Sequence, residues 1–123
     1  MNRIIVCGSR TFTDYNKLCN ELDKLIPTEE NNEFVSGRAR GADALGERYA
    51  YEHDIPVAFF PAQWDVYGKS AGYRRNATML DYAKDANPII IAFWDGQSKG
   101  TKHMIEIATK ANATVHVIQY DNN

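Results

Sequence analysis

The sequence predicts a single α/β domain in three layers, with a mainly parallel five-stranded sheet between helices. Three observations predict it. Short apolar runs alternate with segments whose apolar residues recur at helical spacing. The runs are apolar at successive positions, as strands covered on both faces must be. Polar, glycine-rich residues gather where runs end and helical segments begin.

The elements follow in order. Arg3 to Cys7 reads as the first strand and ends in Gly8-Ser9. Thr13-Asp14 supplies a helix N-cap, and Leu18, Leu22, Leu25 and Ile26 then recur at helical spacing until Pro27 stops them. Glu33 to Val35 is a second strand, followed by a helix from about Ala42 to His53 with Ala42, Leu45, Tyr49 and Ala50 on one face. Asp54-Ile55-Pro56 turns the chain into a third strand, Val57 to Phe60. Pro61 to Gly72 is expected to be a long loop and Tyr73 to Asp85 a helix. Pro88 to Phe93 is the clearest strand, Lys99 to Asn112 the last helix, and Thr114 to Ile118 the fifth strand. Strands separated by helices call for right-handed crossovers and a sheet covered on both faces.

With 123 residues the chain suits one compact domain, placed at 1–119, with 120–123 as a frayed tail. No linker, repeat or low-complexity stretch interrupts it. A formal net charge of −2 argues against a protein that coats nucleic acid, which needs clustered Lys and Arg. It leaves room for a local basic pocket. No apolar run approaches the ~20 residues of a membrane helix, and no membrane partner is expected. The first residues lack a signal-peptide pattern, so a cytoplasmic location is expected, with Cys7 and Cys19 as reduced thiols. His53, His103 and His116 are scattered without metal-ligand spacing, and no G-x-S-x-G occurs. No metal or cofactor is expected.

In open parallel sheets, ligands bind beyond the carboxyl ends of the strands. Four loops lie there. Gly8-Ser9-Arg10 offers a bare backbone, a hydroxyl and a cation, or else a tight turn with a surface arginine. Ser36-Gly37-Arg38-Ala39-Arg40-Gly41-Ala42-Asp43 puts two arginines between glycines at a helix start, where free N–H groups favour anions. It matches neither the Walker nor the dinucleotide pattern, and solvated arginines are its plain alternative. In the long third loop, Trp64, Tyr67 and Tyr73 can stack on a base, with Lys69, Arg74 and Arg75 adding charge and Asn76 adding polar recognition. The fourth, after Trp94, runs through Asp95, Ser98, Gly100 and Thr101. It makes a second anion cradle with an acid for ribose hydroxyls or for turn capping.

Taken together, these loops resemble the SLOG superfamily and, within it, the YspA/YpsA-related group. The resemblance runs from about Ile4 to Val117. It rests on Val6-Cys7-Gly8-Ser9-Arg10, Ser36-Gly37 with Gly41-Ala42-Asp43, Ala71 to Asn76 with Met79, and Trp94-Asp95-Gly96 with Ser98-Lys99-Gly100-Thr101. It implies a Rossmann-like fold, a nucleotide-type ligand, and a homodimer or higher homo-oligomer with sites near the interface. The related Lonely Guy phosphoribohydrolases cleave nucleoside monophosphates with an Arg and with a Glu in a P-G-G-x-G-T-x-x-E motif. Arg75 resembles that Arg, and Gly100-Thr101 the G-T. Trp94-Asp95-Gly96 replaces P-G-G, and Met104 stands where the Glu would fall. Glu106, two residues on, faces about 200° away.

The binding half of the pattern is therefore present without its catalytic half. The first expectation is a module that senses or sequesters a nucleotide. Its contacts are Gly8, Ser9, Arg10, Ser36, Gly37, Arg38, Arg40, Gly41, Asp43, Trp64, Lys69, Arg75, Asn76, Trp94, Asp95, Ser98, Gly100 and Thr101. The alternative is a nucleotide N-glycosidase, a phosphoribohydrolase releasing base from a nucleoside monophosphate. Its catalytic candidates are Arg75, Asp43, Asp95 and Glu106. Single-stranded DNA binding follows only from the DNA-processing protein A relatives, and the absence of a basic stripe weighs against it.

Overall fold

A computed structural model describes residues 1–28 and 31–121. Five strands, β1 (Asn2–Gly8), β2 (Asn32–Ser36), β3 (Val57–Phe59), β4 (Asn87–Trp94) and β5 (Thr114–Gln119), form one sheet in the order β3-β2-β1-β4-β5. Every neighbouring pair is parallel. The helices are α1 (Tyr15–Leu25), α2 (Ala42–Glu52), α3 (Trp64–Tyr67), α4 (Ala71–Lys84) and α5 (Lys99–Lys110). This is the Rossmann-like three-layer arrangement expected.

The strands sort their side chains by parity. Ile4, Val6, Phe34, Ile89, Ile91 and Phe93 pack with Leu18 and Leu22 of α1 and Tyr49 and Ala50 of α2. Ile5, Cys7, Val35, Ile90 and Ala92 pack on the other face with Met79, Leu80 and Ala83 of α4 and Met104 and Ala108 of α5. The chain therefore winds β1-α1-β2-α2-β3 over one face, then crosses to β4 and covers the other. The strand order reverses between β1 and β4, and their carboxyl ends diverge into loops there.

Register is held from the opposite end. The Asn2 amide donates to Asn32 Oδ1 at 3.0 Å, and the Asn87 amide donates to Asn2 Oδ1 at 2.7 Å. These residues are directly opposite one another in β2, β1 and β4. A one-residue slip would break this chain of amides, centred on the buried Asn2, and invert every core side chain.

The third loop is shorter than expected. Residues 64–67 form one α-turn, Gly68–Ser70 form a 3-10 turn, and α4 starts at Ala71 rather than Tyr73. Gly68 takes φ +58 and ends α3, a left-handed stop that glycine accepts readily. Tyr120, expected in the tail, is docked. Its N–H donates to the Trp94 carbonyl at 3.3 Å and its ring packs edge-on to Phe12. Asn122 and Asn123 lie outside the described residues.

The tightest packing lies at the strand reversal. A Cβ on Gly8 would run into the Phe93 carbonyl oxygen and come within 2.8 Å of the Ala42 Cβ. Backbone cannot yield there, so Gly8→Ala is expected to cost about 1–3 kcal/mol in urea unfolding. Gly100→Ala, with nothing among the described residues within 4 Å of the added carbon, is expected to be neutral or to gain up to about 1 kcal/mol.

Candidate functional site

The loops after β1 and β4 and the starts of α4 and α5 enclose a cleft of about 400 Å³ at the strand reversal. Its floor is Cys7, Met79 and Met104. All three are buried, on β1, α4 and α5.

Gly8 and Gly41 bring the walls together. Gly41 precedes α2 with φ +75, and a Cβ there would strike the Ser9 carbonyl oxygen and Arg10 backbone. The β1 loop thus lies directly on the start of α2. Ser9 is buried, and its Oγ accepts from the Asp95 N–H at 3.3 Å. Asp95 Oδ1 in turn accepts from the N–H groups of Gln97 and Ser98, each at 2.9 Å. Those two bonds hold the Asp95 carboxyl below its ordinary range. Asp95 therefore shapes the turn into α5 while one side of it faces the cleft. Ser98 and Thr101 share a hydroxyl–hydroxyl bond of 3.1 Å at the same helix start.

Arg75 and Asn76 anchor the opposite wall. Arg75 Nη1 donates to the Gly37 carbonyl at 2.5 Å, and its Nε donates to Asn76 Oδ1 at 3.2 Å. Gly37 has no room for a Cβ because the Arg75 side chain lies against it. Asn76 is buried, and its amide reaches the Gly100 carbonyl at 3.1 Å and His103 Nδ1 at 3.2 Å. One arginine and one asparagine thus tie the loop after β2 to α4 and α5.

Asp43 is the buried acid of the cleft, only 5% exposed in the first turn of α2. Burial pushes its carboxyl up to about 6, against the pull of Arg75 and of the Ala39 N–H, while Glu47 adds to the rise. Burial also draws the Arg75 guanidinium below its ordinary value, with Asp43 opposing and Arg10 adding to the fall. Arg10 stands with its guanidinium 5.8 Å over the Trp64 ring. Among the described residues, no carboxylate lies within ion-pair distance of Arg10, Arg40 or Lys69. The cleft is therefore locally cationic in an acidic chain.

Most expected contacts converge here. Gly8, Ser9, Arg10, Asp43, Trp64 and Lys69 line the cleft, as do Arg75, Asn76, Asp95, Ser98, Gly100 and Thr101. Others do not. Ser36 Oγ donates to Glu47 at 2.5 Å, and Arg38 Nη1 donates to the same carboxylate at 2.7 Å. Arg38 also lies over the Phe59 ring at 4.8 Å. Both are thereby drawn out of the cleft by a partner on α2. Trp94 uses its indole N–H on the Ser98 carbonyl at 3.1 Å, a turn-closing bond. Gly37 and Arg40 border an adjoining recess, and Gly41 acts through its backbone. Glu106 sits on the exposed side of α5, 3.9 Å from Lys102, and does not reach the cleft.

Sequence reasoning missed Cys7, Thr11, Ala39, Gly72, Met79 and Met104 as lining residues. Met79 was legible in principle, one helical turn after Asn76. His103 lacks metal-ligand spacing in the sequence, yet it meets Asn76 and packs against Tyr73 with ring centroids 4.5 Å apart. Among the described residues, no group of His, Cys, Asp and Glu side chains is placed to hold a metal ion. No described helix is long and apolar enough to cross a membrane.

A model of the YspA, cpYpsA-related SLOG family matches residues 2–67, from β1 to the end of α3. The matched span carries Arg10, Gly37 and Asp43. Across 121 residues the chain is 32% identical to Gene 61 protein of Mycobacterium phage D29, covering 94% of each chain. No solved structure matches the chain.

The elevated Asp43 carboxyl has a measurable consequence. In the unfolded chain it titrates near 3.8, and in the folded protein near 6. Between those values the folded state holds a proton that the unfolded state has lost, so stability falls as pH rises from about 4 to 6. Above pH 6 the full cost remains. Asp43→Asn is therefore expected to raise stability at pH 7 by about 1–3 kcal/mol. The gain should vanish near pH 4 in urea titrations. A loss at both pH values would show instead that the carboxylate supports the fold.

Proposed function

We propose, from the premise that this chain belongs to the YspA, cpYpsA-related SLOG family, that it binds a nucleotide or nucleotide-derived ligand in the strand-end cleft, as a sensor or a sequestering protein. One observation carries the reading. Arg10, Lys69 and Arg75 converge on one cleft at the strand reversal, and neither Arg10 nor Lys69 has a carboxylate partner among the described residues. Anions are attracted to such a place, and the start of α5 adds backbone N–H groups at Gly100 and Thr101.

The remaining walls suit the rest of a nucleotide. Asp95 faces the cleft from a turn held by three hydrogen bonds, a rigid acceptor for ribose hydroxyls. Trp64 is 48% exposed at the rim and offers a face to a base. Met104 and Met79 give the floor a soft apolar surface.

A second reading, N-glycosidic hydrolysis, is favoured by Asp43 alone. A carboxyl that titrates near 6 beside an arginine can exchange a proton near neutral pH. In that reaction water adds to the ribose C1′ and the C1′–N bond breaks. The base leaves with a proton, and ribose 5-phosphate keeps the water oxygen. Met104 occupies the position of the related enzymes' glutamate and carries no proton, so binding is the primary reading.

Purified protein, incubated with mononucleotides, NAD, ADP-ribose and cyclic nucleotides, is expected to retain one compound intact, as read by filtration and mass spectrometry. Arg75→Ala should weaken retention about 10- to 100-fold, the worth of a charge-assisted contact. Because Arg75 also supports the Gly37 loop, the exposed Lys69→Ala is the cleaner probe, expected to weaken binding several-fold at unchanged melting temperature. Catalytic accumulation of free base would turn the assignment to the hydrolase, and Asp43→Asn should then abolish turnover. If no compound is either retained or cleaved, the nucleotide reading is overturned.

A further inference from the structure

Past Arg10 and Arg75 the cleft opens into a second recess of about 360 Å³. The two share Arg10, Ala39, Trp64 and Arg75, so a single ligand can span both. Their chemistry differs. Asp43 and Asp95 line the inner cleft, which therefore offers acceptors as well as donors. Among the described residues no Asp or Glu lines the outer recess, whereas Arg10, Arg38, Arg40 and Arg75 do.

We propose that the ligand carries two linked phosphoryl groups, the first held between Arg10 and Arg75 and the second in the outer recess against Arg40. This inference rests on the nucleotide reading and deepens it. The nucleoside part occupies the inner cleft, where acceptors and an apolar floor suit ribose and base.

The arginines around the junction exceed what one phosphate needs. A monophosphate at the junction is already matched by Arg10 and Arg75. Arg38 is neutralised by Glu47 at 2.7 Å. Arg40 remains, exposed in the same loop, with no carboxylate partner among the described residues. A cation left unpaired beside two others raises mutual repulsion unless an anion enters. A second phosphoryl group, joined to the first through one bridging oxygen, extends in the direction the recess opens.

The test uses the whole chain and matched pairs of probes: AMP and ADP, GMP and GDP, CMP and CDP, UMP and UDP, measured by calorimetry at fixed salt. For the base that binds, the diphosphate is expected to bind at least tenfold tighter than the monophosphate. Arg40→Ala is expected to remove that preference, weakening the diphosphate about tenfold and leaving the monophosphate within twofold. Among the described residues the Arg40 side chain has no hydrogen-bond or ion-pair partner, so the variant should keep its melting temperature. Lys110→Ala, at the far end of α5, controls for bulk charge and is expected to change neither. Equal binding of both members of a pair, or equal losses from Arg40→Ala and Lys110→Ala, would overturn the inference and leave the nucleotide reading standing. Failure of all eight probes to bind, with NAD, ADP-ribose and the cyclic nucleotides also unbound, would overturn both.

Discussion

The site exists because three backbone segments are pressed together where the sheet reverses its strand order. Gly8 lies against the Phe93 carbonyl and the Ala42 side chain, and Gly41 lies against the backbone of Ser9 and Arg10. No side chain fits between them. That contact sets the distance between the ends of β1 and β4 and the start of α2. From it follow the directions of the loops, and so which side chains can meet over the gap. The asparagine chain at the other end of β2, β1 and β4 complements it by fixing register.

Given that frame, few groups need to be free. Much of the polar chemistry is spent on building walls. Ser9 orders Asp95, Asp95 orders the turn into α5, and Asn76 ties α4 to α5. Arg75 holds the Gly37 carbonyl and still borders both the cleft and its outer recess. Preorganisation of this kind lowers the entropic cost of gripping a ligand. It also stores tension. Asp43 is buried beside Arg75 and has lost part of its ionisation to that burial. A fold optimised only for stability would not keep a carboxyl there.

Several site residues were legible as loop residues but not as contacts. Ser36 and Arg38 sit in the right loop, yet Glu47, nine and more residues away on α2, claims both. Nothing local in the sequence marks that competition. Trp94 reads as a ligand contact, but a carbonyl four residues on takes its N–H. The turn of α3 hides in a stretch rich in loop-forming residues, where Gly68 ends it. His103 has no metal-like spacing and therefore no signal. Its partners Asn76 and Tyr73 lie about one crossover away in the chain.

By itself the sequence determined the alternation of elements, the two-sided burial of the strands, and the placement of glycines and cations after β1, β2 and β4. These are local properties, written in periodicity, caps and turn residues. Residues as distant as Ser9 and Asp95, or Arg75 and Gly37, meet only through the tertiary structure. So it alone decided which arginines stay unpaired and that Asp43 is buried beside Arg75. The reason is physical. Side-chain direction, desolvation and ion pairing depend on what the packed neighbours present, and those neighbours are set by strand order and crossover.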